Sequence, residues 1–334
     1  MMKILKFDGD LLAKTLNEIL NVVEIQGVQW HRFKELNKLL KGFRTHEMTV
    51  LSGKTGVGKT TFACEYSLDL AEQGVRTLWG SFEMPLPRIC RTLLHQFAGE
   101  QLCPQSSMRV AAWASAFQHE VPMFFLSTHG RPSEKEVFLA LEESVKRDGI
   151  EHVILDNLQF MMGCTGSRGM EEKFQRQDRF VERLRGFATD SGAHLTLVVH
   201  PRKLESDHLL TINSLYGGGK IGQEADNILL MQEEVDTAVP KKYLQVKSYF
   251  VSDRYLPMAA QITVISVNAI EIPPARKRVP CMHYPVSHFA QQVVKNRYDG
   301  TVGKMDLHFN RSRLSFRPSS RSLQVLQTIS EAVD

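Results

Sequence analysis

The chain has 334 residues, 43% of them hydrophobic, which is enough to bury one sizeable α/β core with residues left for extensions. A formal net charge of +4 is mildly basic and admits a nucleic-acid partner without requiring one. Neither paired spacing nor a C-x-x-C relates Cys64, Cys90, Cys103, Cys164 and Cys281, which argues against a disulfide framework, and the absence of a run of about 18 apolar residues excludes a membrane-spanning helix.

In chain order, "MMKILKF" is too short for a signal peptide and lacks the Arg and Ser richness of a mitochondrial presequence, so no address is visible. "DGDLLAKTLNEIL" then predicts an amphipathic helix, with Asp10 at its N-cap and Leu11, Leu12, Leu16, Ile19 and Leu20 on one face. That face has no local core to cover. It either packs on its own domain or docks on a neighbouring subunit.

"LSGKTGVGKTTF" follows a short buried strand and precedes a run of apolar residues at helical spacing that stops at Gly74. Gly53, Gly58, Lys59 and Thr60 fill G-x-x-x-x-G-K-[ST], a loop whose backbone N–H groups wrap a phosphate where a Cβ would collide. Gly53, Lys54, Thr55, Gly56, Val57, Gly58, Lys59, Thr60 and Thr61 are therefore the expected nucleotide-binding residues, for ATP or another NTP with Mg²⁺ on the Thr60 hydroxyl.

From Met48 the chain alternates strand and helix, with strands read at 48–52, 75–82, 123–128, 152–157 and 194–200. Their near-continuous apolarity predicts a mostly parallel sheet covered by helices on both faces. Later runs at 225–232, 241–246 and 304–316 read as antiparallel strands at the C-terminal side. Residues 247–293 lack periodicity and read as an atypical insertion. "ARKRV" within it reads as a short solvated basic run rather than a nuclear address, and Cys281, His283 and His288 lack a fourth ligand at zinc-finger spacing.

The strand ends must choose among phosphate-loop chemistries. Glu83, after the second strand, suits either a water-orienting base or a cap for the next helix. Asp156 ends an apolar strand, the pattern of a carboxylate that holds Mg²⁺, with a solvated strand-end Asp as the plainer reading. His200 ends another buried strand and is either a γ-phosphate sensor or a structural histidine. The following loop carries Arg202, Lys203, a Gly triplet, Lys220 and Gln223, spaced to grip a phosphodiester strand with little base preference.

"RFKELNKLLKG", "VILDNLQFMMG", "FATDSGAHLTLVVHPRK", "GQEADNILLMQ" and "VVKNRYDGTVG" together resemble the RecA-like helicase domain of the Twinkle family of mitochondrial replicative DNA helicases, related to phage primase-helicases and bacterial DnaB. The resemblance runs from about Trp30 to Arg317 and implies a RecA-like P-loop NTPase core. It implies an N-terminal linker-helix arm over 1–29, a helicase domain over 30–317 and a polar tail over 318–334. On matching positions it makes Glu83 the base, Asp156 and Thr60 the metal residues, His200 the sensor, and Arg297, beside Lys295, an arginine finger acting on the neighbouring protomer.

The same resemblance implies a 5′-3′ helicase ring, a hexamer or heptamer, on single-stranded and forked DNA. It also implies a setting in the mitochondrial matrix nucleoid and a mitochondrial DNA polymerase and single-strand binding protein as partners. It supports no primase activity, since the family's long N-terminal region has no counterpart in these residues. Joining Val246 to Val294 would restore a family-like strand, so the insertion could displace the finger. The alternative is therefore a nucleotide- and DNA-binding subunit with impaired hydrolysis.

Overall fold

The computed structural model describes residues 6–20, 27–103, 106–127, 132–162, 170–202, 210–216, 218–234, 288–298, 300–311 and 313–327. Among these, one nine-stranded sheet is flanked by helices, with the strand order β3-β2-β4-β5-β1-β6-β7-β8-β9. The parallel part comprises β1 (Met48–Gly53), β2 (Thr77–Ser81), β3 (Met123–Phe125), β4 (His152–Asp156), β5 (His194–Val199) and β6 (Asn227–Glu234). Strands β7 (His288–Asn296), β8 (Val302–Asn310) and β9 (Ser315–Gln327) continue it antiparallel.

Alternation along each central strand explains why both faces carry helices. Leu51, Trp79, Ile154, Val198, Leu229 and Met231 pack on one side with α2 (Lys34–Leu40), α3 (Lys59–Ala71) and α4 (Leu86–Ala98). Val50, Leu78, Val153, Leu155, Leu197, Ile228 and Leu230 pack on the other with α6 (Glu134–Asp148), α8 (Met170–Ser191) and α9 (Gly218–Glu224). A strand buried on both faces must be apolar at every position, which is the run-like signature seen in the sequence. The remaining helices are α1 (Gly9–Leu20), α5 (Ser107–Glu120) and α7 (Leu158–Met162).

Two polar side chains, Asp69 and Asn37, tie the segment before α2 to this core. Asp69 of α3 accepts from His31 N at 3.1 Å and Arg32 N at 2.7 Å, while Asn37 closes a ring with the Trp30 backbone through two 2.8 Å bonds. These bonds pair the backbone donors of the segment leading into α2 and fix it against the P-loop helix.

Four expectations change. Strand β6 runs parallel to β1, with Thr49 opposite Asn227 and Gly53 opposite Met231, so the run at 225–232 belongs to the parallel sheet. The run at 304–316 is split by a turn into β8 and the start of β9, and β9 carries the expected polar tail into the sheet as far as Gln327. Residues 288–293, assigned to the insertion, form most of β7 and pair in register with β6. Helix α1 begins at Gly9, which places Asp10 inside its first turn rather than at the N-cap.

The apolar face of α1 is not covered by the described residues of its own domain: Leu16, Ile19 and Leu20 are 45%, 63% and 76% exposed. No described helix is long and apolar enough to cross a membrane. Cys64, Cys90 and Cys103 are free thiols. The run at 241–246, Cys281 and His283 lie outside the described residues.

Candidate functional site

The site forms where β1, β2, β4 and β5 end on the same edge of the sheet, because parallel strands deliver all their C-terminal residues to one side. Between β1 and α3 the phosphate loop turns through Gly56 and Gly58 at φ 84° and 96°, values that only glycine adopts without strain. A Cβ on Gly53 would lie 2.5 Å from the Met231 carbonyl oxygen, so the first glycine of the motif is required by β6 as well as by a ligand.

Lys59 opens α3 and folds its ammonium back onto the loop, donating to Gly53 O at 2.7 Å and Lys54 O at 3.1 Å. Burial pulls its pKa down to about 8 against the opposing charges of Asp156 and Glu83. A buried cation held by two carbonyls of a loop that is exposed at Lys54, Thr55 and Gly56 is poised to exchange them for phosphate oxygens.

Thr60 Oγ1 donates to Asp156 Oδ2 at 2.6 Å. Asp156 is 2% exposed, and burial raises its pKa while the Thr60 hydroxyl opposes the rise. A hydroxyl and a carboxylate facing each other beside the loop form the hard-oxygen pair that suits Mg²⁺, so the residues present fit the ion. Among the described residues no cluster of three or more His, Cys, Asp or Glu could hold a metal ion by itself.

Glu83 lies two residues beyond β2, and His200 directly follows β5. Their Oε2 and Nε2 atoms are 3.4 Å apart. The His200 hydrogen bond holds the Glu83 carboxyl below its usual range, burial opposes, and the charges of His200 and Lys59 add to the lowering. Glu83 is therefore an anion at neutral pH, as a water-orienting base must be.

Two residues overlooked in the sequence complete this group. Asn157, fully buried, donates through Nδ2 to Glu83 Oε2 and lies 2.9 Å from His200 Nε2. Gln159 accepts from His200 N at 3.0 Å. Their sequence signal was adjacency to Asp156 within the quoted string "VILDNLQFMMG".

Of the expected DNA-facing residues, Arg202 lies just beyond β5, and Lys220 and Gln223 lie on α9. Exposed Arg202 follows His200, and its Nε donates to Leu215 O at 3.1 Å. Lys220 and Gln223 belong to α9, where Lys220 pairs with Glu224 at 2.9 Å and Glu182 at 3.8 Å, and the Glu224 bond raises its pKa. Lys203 lies outside the described residues.

Arg297 sits beyond β7 rather than at its own protomer's phosphate loop. It is half exposed and bonds Asp226 Oδ1 at 3.0 Å and Gln223 O at 2.6 Å. Lys295 donates to Gly222 O at 2.6 Å, so both cations cap the end of α9.

A phosphate loop, a hydroxyl–carboxylate pair one strand apart from it and an anionic glutamate at the next strand end define a RecA-like P-loop NTPase. The chain belongs to the AAA domain family, whose model matches residues 13–206, more than half of its length. It is 23% identical over 216 residues to the replicative DNA helicase DnaB of Leifsonia xyli subsp. xyli. That match covers 60% of this chain and 46% of the relative, so the chain spans about half the length of that protein. The fold is shared with a solved ATPase domain, at a TM-score of 0.66 and 14% identity over 94% of this chain and all of that one. It is shared too with a DnaB-like replicative helicase whose structure addresses its interactions with primase, at a TM-score of 0.64 and 14% identity over 93% and 66% of the two chains.

Proposed function

We propose that this chain is the motor domain of a ring-forming replicative DNA helicase that couples hydrolysis of ATP, or another NTP, to 5′-3′ movement along single-stranded DNA. The observation that carries the reading is the convergence of Lys59, Thr60, Asp156, Glu83 and His200 at one sheet edge, with Arg297 held on a different edge of the same protomer. A complete site then needs a second copy.

In this mechanism the loop from Gly53 to Thr61 binds the phosphates, and Lys59 exchanges its two carbonyl partners for phosphate oxygens. Thr60 and Asp156 would hold Mg²⁺, which when bound neutralises charge on the phosphates. Glu83 orients the attacking water, and His200 detects the terminal phosphate. Arg297 of one copy stabilises transition-state charge at the next, a contribution of about 10³ to 10⁵ in rate where such fingers act. The exposed apolar face of α1 supports docking on a neighbouring subunit.

Arg202, Lys203, Lys220 and Gln223 are proposed to face the DNA in the ring, and forked DNA is the proposed substrate. The pairing of Asn296 with Asn227 and the bond from Arg297 N to Asp226 O at 2.9 Å support a finger held at the end of β7 rather than displaced by the residues before it. The finer assignment, to mitochondrial replication in the nucleoid with a DNA polymerase and a single-strand binding protein as partners, rests on the quoted sequence strings. Strand displacement tests the function: a fork with a free 5′ tail is opened in the presence of ATP, a duplex with only a 3′ tail is not, and the opposite preference overturns the assigned direction.

A further inference from the structure

We propose that Asp226 is a positioning residue that aims the Arg297 guanidinium at the nucleotide of the neighbouring copy. The proposal rests on the reading of Arg297 as a finger supplied between copies.

Asp226 immediately precedes β6, is 4% exposed and bonds in three directions. Towards β1 its N–H donates to Met48 O and its Oδ2 accepts from Met48 N, each at 2.8 Å. Towards α8 its carboxylate pairs with Arg185 at 3.3 Å. Towards the finger its Oδ1 accepts from Arg297 Nη1 at 3.0 Å and its carbonyl oxygen from Arg297 N at 2.9 Å. One buried residue thus ties both the backbone and the guanidinium of Arg297 to the start of β1.

The residues on either side of the finger are also held. Asn296, 4% exposed, donates to Leu39 O at 2.9 Å and accepts from Tyr298 N at 3.0 Å. The Arg44 guanidinium lies 4.1 Å from the centre of the Tyr298 ring. With the backbone pinned, Asp226 and the Gln223 carbonyl oxygen, at 2.6 Å, set the direction of the side chain. A guanidinium carries five N–H donors in a rigid fork, and these two bonds leave others on a half-exposed side chain for an anion from outside the chain. Met48 is the first residue of β1 and Gly53, where the phosphate loop begins, is its last, so about 16 Å of strand separates the anchor from that loop. The finger is therefore built away from its own nucleotide, as a charge fixed in advance for another.

A carboxylate is needed because it accepts on both oxygens. An amide at 226 has one: turned to Met48 N, it presents NH₂ to the two guanidiniums, and turned to them, it presents NH₂ to Met48 N. The expected loss from a loosened finger falls on the neighbour's site, whereas damage to the fold falls on the variant's own.

The test is DNA-stimulated ATP hydrolysis by Asp226→Asn, alone and co-assembled with Lys59→Ala, which lacks the phosphate grip but keeps Asp226 and Arg297. Alone, Asp226→Asn should turn over at least about tenfold more slowly than the parent, with affinity for a fluorescent ATP analogue within about threefold. In equal mixtures, Lys59→Ala copies supply a well-held finger to intact loops, and hydrolysis should reach at least about threefold the sum of the separate variants. Unchanged turnover in Asp226→Asn, or a mixture no faster than that sum, overturns the proposal. Arg297→Ala mixed with Lys59→Ala separates the two levels: if that pair is rescued and Asp226→Asn is not, the finger stands and Asp226 only supports the fold, and if neither is rescued, the finger reading fails and the proposal with it. The unsubstituted chain gives an independent check through ¹⁵N-arginine spectra, with Arg297 assigned by its loss in Arg297→Ala. Its two Nη signals should be resolved by restricted rotation, and a single averaged signal overturns the proposal whether or not Asp226→Asn folds.

Discussion

Thr60 Oγ1 and Asp156 Oδ2 meet at 2.6 Å, joining the first turn of the P-loop helix to the end of β4 although β5 lies between their strands. The bond places the two oxygens of the candidate metal position on one side of the loop before any ligand arrives. Asp156→Asn is expected to lower Mg²⁺-dependent turnover by at least about a hundredfold, since such ions contribute several kcal/mol to transition-state stabilisation. Burial penalises the Asp156 charge, so the neutral isostere should melt no earlier than the parent. Thr60→Ser should retain turnover and Thr60→Ala should not, as read by phosphate release across a Mg²⁺ titration.

Arg297 is expected to matter for rate rather than for folding. Its guanidinium is half exposed and shares Asp226 with Arg185, so its removal leaves that carboxylate paired. Arg297→Ala should cost no more than about 1 kcal/mol of stability. DNA-stimulated hydrolysis should fall about 10³-fold with nucleotide affinity unchanged. Calorimetric binding and steady-state turnover on the same preparation separate the two effects.

For the DNA-facing residues the local pairing sets an order. Lys220 is neutralised by Glu224 and Glu182, whereas exposed Arg202 donates to a backbone carbonyl, Leu215 O, which leaves its charge in place. Arg202→Ala should weaken single-stranded DNA binding more than Lys220→Ala. It should also reduce the slope of log affinity against log salt by about 0.7, one phosphate contact. Fluorescence anisotropy with a labelled oligonucleotide across a salt series checks both.

Acid stability should report the histidines that open β4 and β5. His194 donates to or accepts from Thr49 Oγ1 at 2.9 Å and reaches Arg44 O at 2.5 Å, and burial lowers its pKa to about 4. Burial also lowers His152. A depressed folded pKa means that the unfolded chain binds the proton first, so this stability is present above about pH 6.5 and is lost as pH falls towards 4. The loss from His194 alone is on the order of 3 kcal/mol. His194→Asn, which cannot charge, should melt lower at pH 7 but with a shallower decline as the pH falls from about 6.5 towards 4. Thermal melts across that range decide the point.

The strand ends were legible because parallel strands covered on both faces are apolar throughout, so a polar residue at the end of such a run stands out. Gly53 to Thr61, Glu83, Asp156 and His200 all announce themselves in this way. Direction did not. "ADNILLMQ" has the same pattern whether it runs with or against β1, and only the crossover through α9 makes it parallel. The extent of β9 was equally hidden, because the residues from 318 onward read as tail, although Phe316 just before them packs into the core and its N–H reaches buried Glu65 at 2.5 Å. Asn157 and Gln159 lie within the quoted string "VILDNLQFMMG" but carry no role there by residue type alone, and their partners lie more than 40 residues away.

Subunit mixing tests the shared site most directly. Lys59→Ala removes the phosphate grip but keeps Arg297, and Arg297→Ala does the converse, so each variant alone should hydrolyse ATP poorly with single-stranded DNA present. Co-assembled in equal amounts, an intact phosphate loop on one copy faces an intact finger on the next. Hydrolysis by the mixture is then expected to rise well above the sum of the two variants alone. A mixture no faster than that sum, in assemblies shown by mass to contain both variants, would contradict a site built from two copies.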